Sequence, residues 1–224
     1  MQTIGEWLES HITLHNNDTR KEERMNSLTH AIAAVLSLLG LVVLLIRTVP
    51  SGNPRFIIAA LVFGLTMILM YSSSSIYHII QPSNLKRALR IMDHVNIYLL
   101  IAGTYTPICL GMNNSSGHVL LLLVWTVAVL GIIFKLVFWG KVKPLHTIIY
   151  ILMGWLVVFF FEDLKESIPA DFLPWIFSGG IAYTLGTVFY AMKKMPYYHA
   201  VWHCFVIAGS ACFYFGIYLH ILVV

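Results

Sequence analysis

Seven long runs of hydrophobic residues follow one another along the chain, separated by short polar segments. Most of them approach or exceed the roughly 20 apolar residues that an α-helix needs to cross a bilayer. The runs are too long for strands and lack the alternation of apolar and polar positions that marks a membrane barrel. The pattern therefore predicts an all-α, polytopic membrane protein with seven transmembrane helices. The runs cover about residues 28–46, 56–80, 91–111, 119–138, 145–161, 172–192 and 201–224.

The segments between the runs carry prolines, glycines, serines and asparagines, which are typical of turns and loops. None of these segments is long enough to divide the chain into separate globular domains. The sequence therefore predicts a cytoplasmic N-terminal segment over residues 1–27 and one seven-helix transmembrane domain over residues 28–224.

The lysines and arginines predict how the helices are oriented. Eleven of the 14 basic residues fall in segments that share a side of the membrane with the N-terminus. Loops rich in lysine and arginine stay in the cytoplasm. We therefore expect a cytoplasmic N-terminus, an outside C-terminus and a multi-pass protein of the plasma (cell inner) membrane.

Composition agrees with this class and excludes others. The chain is 58% hydrophobic and 11% charged, whereas a soluble domain carries about 25% charged residues. The formal net charge of +4 is spread over short clusters between apolar runs, so it does not indicate nucleic-acid binding. The three cysteines lie within apolar runs and do not predict a disulfide framework. The sequence does not predict the oligomeric state.

Ionisable side chains within or beside the runs are costly in a membrane and mark candidate functional positions. His78 ends the second run, and Asp93 opens the third. His199 and His203 precede or begin the seventh. With the orientation above, all four lie at one cytoplasmic depth. The basic residues alone gave that orientation, so this convergence is an independent argument for a site.

The histidine spacing favours a metal site. His199 and His203 are four residues apart, which places both imidazoles on one helix face about one turn apart. Two such rings can bind one Zn²⁺ ion at roughly 2.0–2.1 Å each, and a catalytic zinc site needs a third protein ligand. His78 is the natural third ligand because it lies at the same depth. Three imidazoles and a water favour zinc among the first-row metals.

Two further residues are candidates for chemistry beside the metal. Ser74 lies one turn before His78 on the same helix face and can orient a water molecule. Asp93 is a candidate general base, or a carboxylate that fixes a histidine tautomer. Zn²⁺ lowers the pKa of a bound water to about 7, which would provide a nucleophile at neutral pH.

Glu22, Asn26 and His30 form a stripe that enters the first run at the same depth, with spacings of four residues. They are candidate supporting residues of the cavity. Two simpler interpretations stay open: Glu22 and Asn26 cap or flank the helix, and His30 forms a hydrogen bond between helices.

Other histidines are expected to lie outside the site. His11 and His15 repeat the four-residue spacing, but they fall in the polar N-terminal segment and are predicted to be exposed. His94 is predicted to be interfacial because it faces away from its neighbour Asp93. His146, at the start of the fifth run, is predicted to be a spectator.

Five short motifs follow one another along the chain: Glu22 with Asn26 and His30, Ser74 with His78, Met92-Asp93-His94, Ala102-Gly103-Thr104-Tyr105-Thr106-Pro107, and His199 with His203. In their order and spacing, they resemble the progestin and adiponectin receptor (PAQR) family, and within it the bacterial hemolysin III branch. The resemblance covers nearly the whole chain. It implies a seven-helix fold with a cytoplasmic N-terminus and a Zn²⁺ ion held by the three histidines. It also implies that Asp93 contacts the zinc through water, with Ser74 in support, and it relates the chain to membrane hydrolases such as alkaline ceramidases.

Two functions follow as hypotheses. The first is a zinc-dependent hydrolase that cleaves an amide or ester of a membrane lipid, which would be its substrate. The second is a non-enzymatic protein with a structural metal, either a membrane-homeostasis or sensor protein or a pore-forming cytolysin. The strongly apolar helices fit a pore poorly, because no polar stripe continues to the outer leaflet.

Overall fold

The computed structural model describes residues 3–14, 18–141 and 143–222, and within these ranges the chain is almost entirely helical and contains no strand. Seven helical segments are long and apolar enough to cross a membrane. The predicted all-α fold with seven transmembrane helices is thereby confirmed. The α-helices in chain order are α1 (Ile4–His11), α2 (Arg20–Thr48), α3 (Pro54–Ile79), α4 (Asn84–Met112), α5 (Ser115–Val137), α6 (Lys143–Gly154), α7 (Phe161–Ser167), α8 (Leu173–Ala191) and α9 (Tyr198–Gly216).

Helix α2 begins well before the apolar run at residue 28, because a capping box fixes its start. The Thr19 side chain accepts a hydrogen bond from the Glu22 backbone N–H, and the Glu22 carboxylate accepts one from the Thr19 N–H. Ser83 caps α4 in a similar way by accepting from the Lys86 N–H. The polar first turns of these two helices are therefore ordered, and they carry several of the predicted site residues.

The helices form a bundle in which α4 is the most buried transmembrane segment. Helix α3 packs between α2 and α4, α5 packs on α4, and α9 packs against both α8 and α2. Gly103 in α4 allows a close approach to α3, because a Cβ atom at this position would collide with Thr66. The outward faces of α2, α5 and α8 expose leucine, isoleucine and valine side chains, as a lipid-facing surface does.

The fifth membrane segment differs from the single continuous helix that the run at 145–161 predicts. Helix α6 ends at Gly154, a 3₁₀ helix follows over Leu156–Phe160, and α7 (Phe161–Ser167) extends beyond the end of the predicted run. The Tyr105 hydroxyl from α4 donates to the Gly154 carbonyl (2.7 Å) and accepts from the Val157 N–H (3.0 Å). This hydroxyl satisfies backbone groups that the break releases inside the membrane, where an unsatisfied group is costly.

Candidate metal centre

Three histidines from two helices meet at one end of the bundle. His78 lies in the last turn of α3, and His199 and His203 lie in the first two turns of α9. Their candidate ligand nitrogens all lie within 4.8 Å of one another. The ring centroids are separated by 4.9 Å for His78 and His199, 5.4 Å for His78 and His203, and 4.6 Å for His199 and His203. The structure thus brings together the three side chains that the sequence nominates as metal ligands.

The Nε2 atoms of these rings fit a metal-binding role. In all three histidines Nε2 is buried and has no hydrogen-bond partner in the part of the chain that the structure describes. A buried polar atom without a partner costs free energy, and such atoms need an explanation. Three imidazole nitrogens gathered at one point are a common donor set for Zn²⁺. These residues therefore fit the ion that the family resemblance implies.

Hydrogen bonds on the other side of the His203 ring fix its tautomer. Nδ1 of His203 lies 3.1 Å from the backbone carbonyl oxygen of Asn26 and 3.0 Å from the Thr29 hydroxyl. A carbonyl oxygen can only accept, so Nδ1 carries the proton and donates it to Asn26. In the neutral ring Nε2 then keeps its lone pair, which is the form that binds a metal.

A hydrogen bond to Glu23 likewise fixes the tautomer of His78. Nδ1 of His78 donates to Oε2 of Glu23 at 2.7 Å, and Nζ of Lys86 lies 3.6 Å from the other carboxylate oxygen. A carboxylate that accepts from a ligand imidazole orients the ring and raises its basicity. The lone pair on Nε2 of His78 is thus also available to a metal.

Sequence reasoning missed Glu23 and named its neighbour Glu22. Two successive four-residue steps exceed two full helical turns and therefore move to a different face of the helix. A single seven-residue step is close to two full turns and stays on the same face. Glu23 and His30 are seven residues apart, so they share a face more closely than Glu22 and His30 do. A search at this spacing would have found Glu23.

Glu22 serves the helix ends. Its carboxylate accepts from the Thr19 N–H at 2.8 Å and from the Tyr197 N–H at 3.1 Å. Tyr197 directly precedes α9 and has a left-handed backbone conformation with φ of 55°. Glu22 therefore joins the start of α2 to the turn that leads into His199 and His203, and it makes no contact with the three ligand nitrogens.

Asn26 and His30 both contact the ring of His203. The Asn26 side chain donates to Asp18 at 3.0 Å. Burial raises the pKa of Asp18, the nearby Glu23 raises it further, and the hydrogen bond from Asn26 opposes the shift. His30 is fully buried and stacks on His203 with a centroid distance of 3.5 Å and an angle of 14°. It packs against the ligand ring, and neither of its ring nitrogens has a hydrogen-bond partner within the described residues.

Asp93 and Ser74 lie next to the histidines. Asp93 is buried near His78, and the Ser74 side chain is a neighbour of its carboxyl group. Among the described residues Oδ1 of Asp93 has no hydrogen-bond partner, and its other oxygen lies 3.7 Å from Nδ1 of His94. Ser74 Oγ likewise has no hydrogen bond of ordinary geometry there. A carboxylate and a hydroxyl are thus both available beside the three candidate ligand histidines.

His11, the described member of the second pair of histidines at four-residue spacing, belongs to no comparable group of candidate metal ligands among the described residues. His11 is exposed, its ring stacks on Trp7, and its Nδ1 lies 3.0 Å from the Trp7 carbonyl oxygen. His15 lies outside the residues that the structure describes.

Replacement of Glu23 by glutamine is expected to lower the affinity for Zn²⁺ by about 10- to 100-fold, the usual effect of removing a group that orients a ligand histidine. The amide keeps the shape of the side chain but loses the charge that stabilises the proton on Nδ1 of His78. Titration of metal-free, detergent-purified protein against a chromophoric zinc chelator measures the change. Glu162→Gln is the control, because Glu162 pairs with Lys165 at the other end of the bundle and does not touch the histidines. Equal affinities in the two variants would contradict the role assigned to Glu23.

This chain is similar to known proteins over most of its length. The family described as "Haemolysin-III related" matches residues 19–214. The "Hemolysin-3 homolog" of Bacillus subtilis (strain 168) is 42% identical over 198 residues, which cover 88% of this chain and 93% of that protein. "Hemolysin-3" of Bacillus cereus is 38% identical over 203 residues, covering 90% and 93%. The human "Monocyte to macrophage differentiation factor" is 27% identical over 207 residues, covering 89% and 84%.

The family match spans six of the seven transmembrane segments completely and most of the seventh, together with every residue of the histidine site. The chain is therefore a multi-pass membrane protein that belongs to the haemolysin-III related family, a branch of the PAQR family.

Proposed function

We propose that the protein is a metal-dependent hydrolase of the plasma membrane that cleaves an amide or ester bond of a lipid. His78, His199 and His203 would hold a Zn²⁺ ion. The observation that carries the proposal is the meeting of three unpartnered Nε2 atoms beside the buried carboxylate of Asp93. A metal with a purely structural role would not need a free carboxylate at that place.

The metal and the protein would divide the chemistry. Bound Zn²⁺ would supply a Lewis acid that polarises a carbonyl group and makes a nucleophile available at neutral pH. Asp93 would take up the proton of the attacking water at Oδ1 and deliver it to the leaving group, as a general base and then acid. Ser74, next to this carboxyl group, would orient it.

Residues of α2 would hold the ligands in place. Glu23 and the Asn26 carbonyl each accept a hydrogen bond from Nδ1 of a proposed ligand histidine. His30 stacks on His203 and limits its movement. A site that is fixed in advance avoids reorganisation when charge develops in the transition state.

A lipid is the substrate class that suits the position of the site. His78, Asp93 and His203 are buried among membrane-spanning helices. A soluble substrate would have to enter from the cytoplasmic end, whereas a lipid can reach the site sideways from the bilayer. Its carbonyl groups lie at the depth where the apolar core meets the headgroups.

Removal of the metal provides the first test. Protein in liposomes of mixed amide- and ester-linked lipids is expected to release fatty acid, to stop doing so after treatment with a zinc chelator, and to resume when Zn²⁺ is restored. Mass spectrometry of the lipids detects the product. Fatty acid released equally by metal-free protein, or by none of the samples, would contradict the proposal.

Membrane lysis is a second candidate function, favoured by the name of the Bacillus cereus relative, "Hemolysin-3". Dye-loaded liposomes distinguish the two functions. The hydrolase proposal predicts no leakage above that of empty liposomes when purified protein is inserted. Leakage that rises with the amount of protein and persists without zinc would favour lysis instead.

A further inference from the structure

A second polar cluster lies at the same end of the bundle, between α4 and α5, and the histidine site does not use it. Arg90 is in the first part of α4 and is 8% exposed, and Lys135 is near the end of α5 and is 6% exposed. Removing a cation from water is costly, so buried cations are normally compensated by an anion. These two cations lie on neighbouring helices, where a mutual repulsion adds to that cost.

Both cations converge on one aromatic ring. The Arg90 guanidinium carbon lies 5.9 Å from the centroid of Trp139, and the Lys135 Nζ lies 5.2 Å from it. An aromatic face attracts cations, but it supplies only about 0.5–2 kcal/mol and no negative charge. Trp139, in the turn after α5, therefore brings the two cations together but adds no negative charge of its own.

Arg90 has N–H groups that bind no acceptor among the described residues. Its Nε and Nη1 atoms are buried and have no hydrogen-bond partner within the described ranges, and Arg90 forms no ion pair with a carboxylate there. A guanidinium presents its N–H groups as a planar fork that matches the two oxygens of a carboxylate or phosphate. Buried and unmatched donors of this kind point to a ligand that accepts hydrogen bonds and carries negative charge.

Acidic Asp93 and two histidines lie next to the cluster. The charge of Asp93 acts on both Arg90 and Lys135. His146 is buried beside them, its Nδ1 lies 3.1 Å from the Tyr98 hydroxyl, and its Nε2 has no partner among the residues described. Nδ1 of His94 donates to the Arg90 carbonyl oxygen at 2.8 Å, so this nitrogen cannot accept a hydrogen bond from either cation.

We propose that Arg90 and Lys135 form a binding site for an anionic group, a phosphate or carboxylate, of the kind that a lipid headgroup carries. Arg90 would bind two of its oxygens, Lys135 would supply the second charge, and Trp139 would cover the group from the cytoplasmic side. Arg90 is one helical turn before Asp93, so the site adjoins the metal centre but is built from different residues. Binding here requires neither the metal nor hydrolysis, so the inference goes beyond the proposed function.

Native mass spectrometry of the full-length protein in detergent tests this site directly. Wild-type protein is expected to retain phosphatidylglycerol in preference to phosphatidylcholine. Arg90→Gln and Lys135→Gln should each weaken the retention of phosphatidylglycerol by about tenfold or more, the effect of losing a charge-assisted hydrogen bond. Arg90→Lys, which keeps the charge but loses the fork, should lie between wild type and Arg90→Gln. This variant and Lys135→Gln carry the test if Arg90→Gln does not fold.

The matched control is Arg47→Gln, because Arg47 also lies over an aromatic ring, that of Tyr218 at 4.3 Å, but at the other end of the bundle. This variant should keep the wild-type preference. A further arm adds inorganic phosphate: competition with the lipid would show that free anions also enter, and lack of competition would assign the site to lipid headgroups. Equal retention of the two lipids by wild-type protein, or the same loss in Arg47→Gln as in Arg90→Gln, would overturn the proposal.

Discussion

His203→Ala and His78→Ala are each expected to remove nearly all of the zinc that we propose the wild-type protein to carry. A site with two imidazoles binds Zn²⁺ more weakly than a site with three, and it therefore loses the ion to competing ligands in the buffer. His203 is fully buried, so its loss also leaves a cavity beside His30. Elemental analysis by mass spectrometry on detergent-purified protein measures the metal content per chain.

Stability should change in parallel with metal content. An ion that binds only the folded chain stabilises it by about 2.7 kcal/mol at a concentration 100 times its dissociation constant. Both variants are therefore expected to melt at a lower temperature than wild type when zinc is present, and to lose the response of wild type to added zinc. His220→Ala, a histidine at the opposite end of the bundle, should keep both the metal and the response. Full zinc content in well-folded His78→Ala and His203→Ala would contradict the assignment of the ligands.

Asp93→Asn is expected to reduce lipid hydrolysis by about 10²- to 10⁴-fold, the contribution that a positioned general base makes. Asparagine has nearly the same shape, but its amide cannot take up a proton at the position of Oδ1. None of the three proposed ligands is changed, so the zinc content should stay at the wild-type level. The measurement combines the rate of fatty acid release in liposomes with metal analysis of the same preparation.

The control for this variant is Asp163→Asn, at the other end of the bundle, which should hydrolyse lipid at the wild-type rate. Retention of wild-type turnover in Asp93→Asn would remove Asp93 from the chemistry. Loss of turnover together with loss of zinc would instead make Asp93 a residue that maintains the metal site.

The seven spans and the meeting of the three histidines could be predicted from the sequence because both depend on short-range regularities. The length of each apolar run defines a span, and the distribution of lysines and arginines predicts which ends of the spans share a side. The four-residue spacing then places His199 and His203 on one face. These arguments require no knowledge of how two distant side chains pack.

The remaining features depend on partners that are distant in the sequence. The break after Gly154 occurs where the Tyr105 hydroxyl, 49 residues earlier, replaces backbone hydrogen bonds. The seven-residue step to His30 places Glu23 on the site face of α2, but its hydrogen bond with His78 also depends on how α2 packs against α3. Arg90 and Lys135 belong to the eleven basic residues from which the orientation of the helices is predicted. That both side chains are buried does not follow from the sequence.

X-ray absorption at the zinc K-edge of wild-type protein tests the central claim most directly, because it reports both the presence of the metal and the atoms that bind it. The account predicts about one zinc per chain, coordinated by three imidazole nitrogens at roughly 2.0–2.1 Å. A sulfur atom at about 2.3 Å would place a cysteine in the coordination sphere and contradict the ligand set. Well-folded protein that binds no zinc would contradict the metal centre itself.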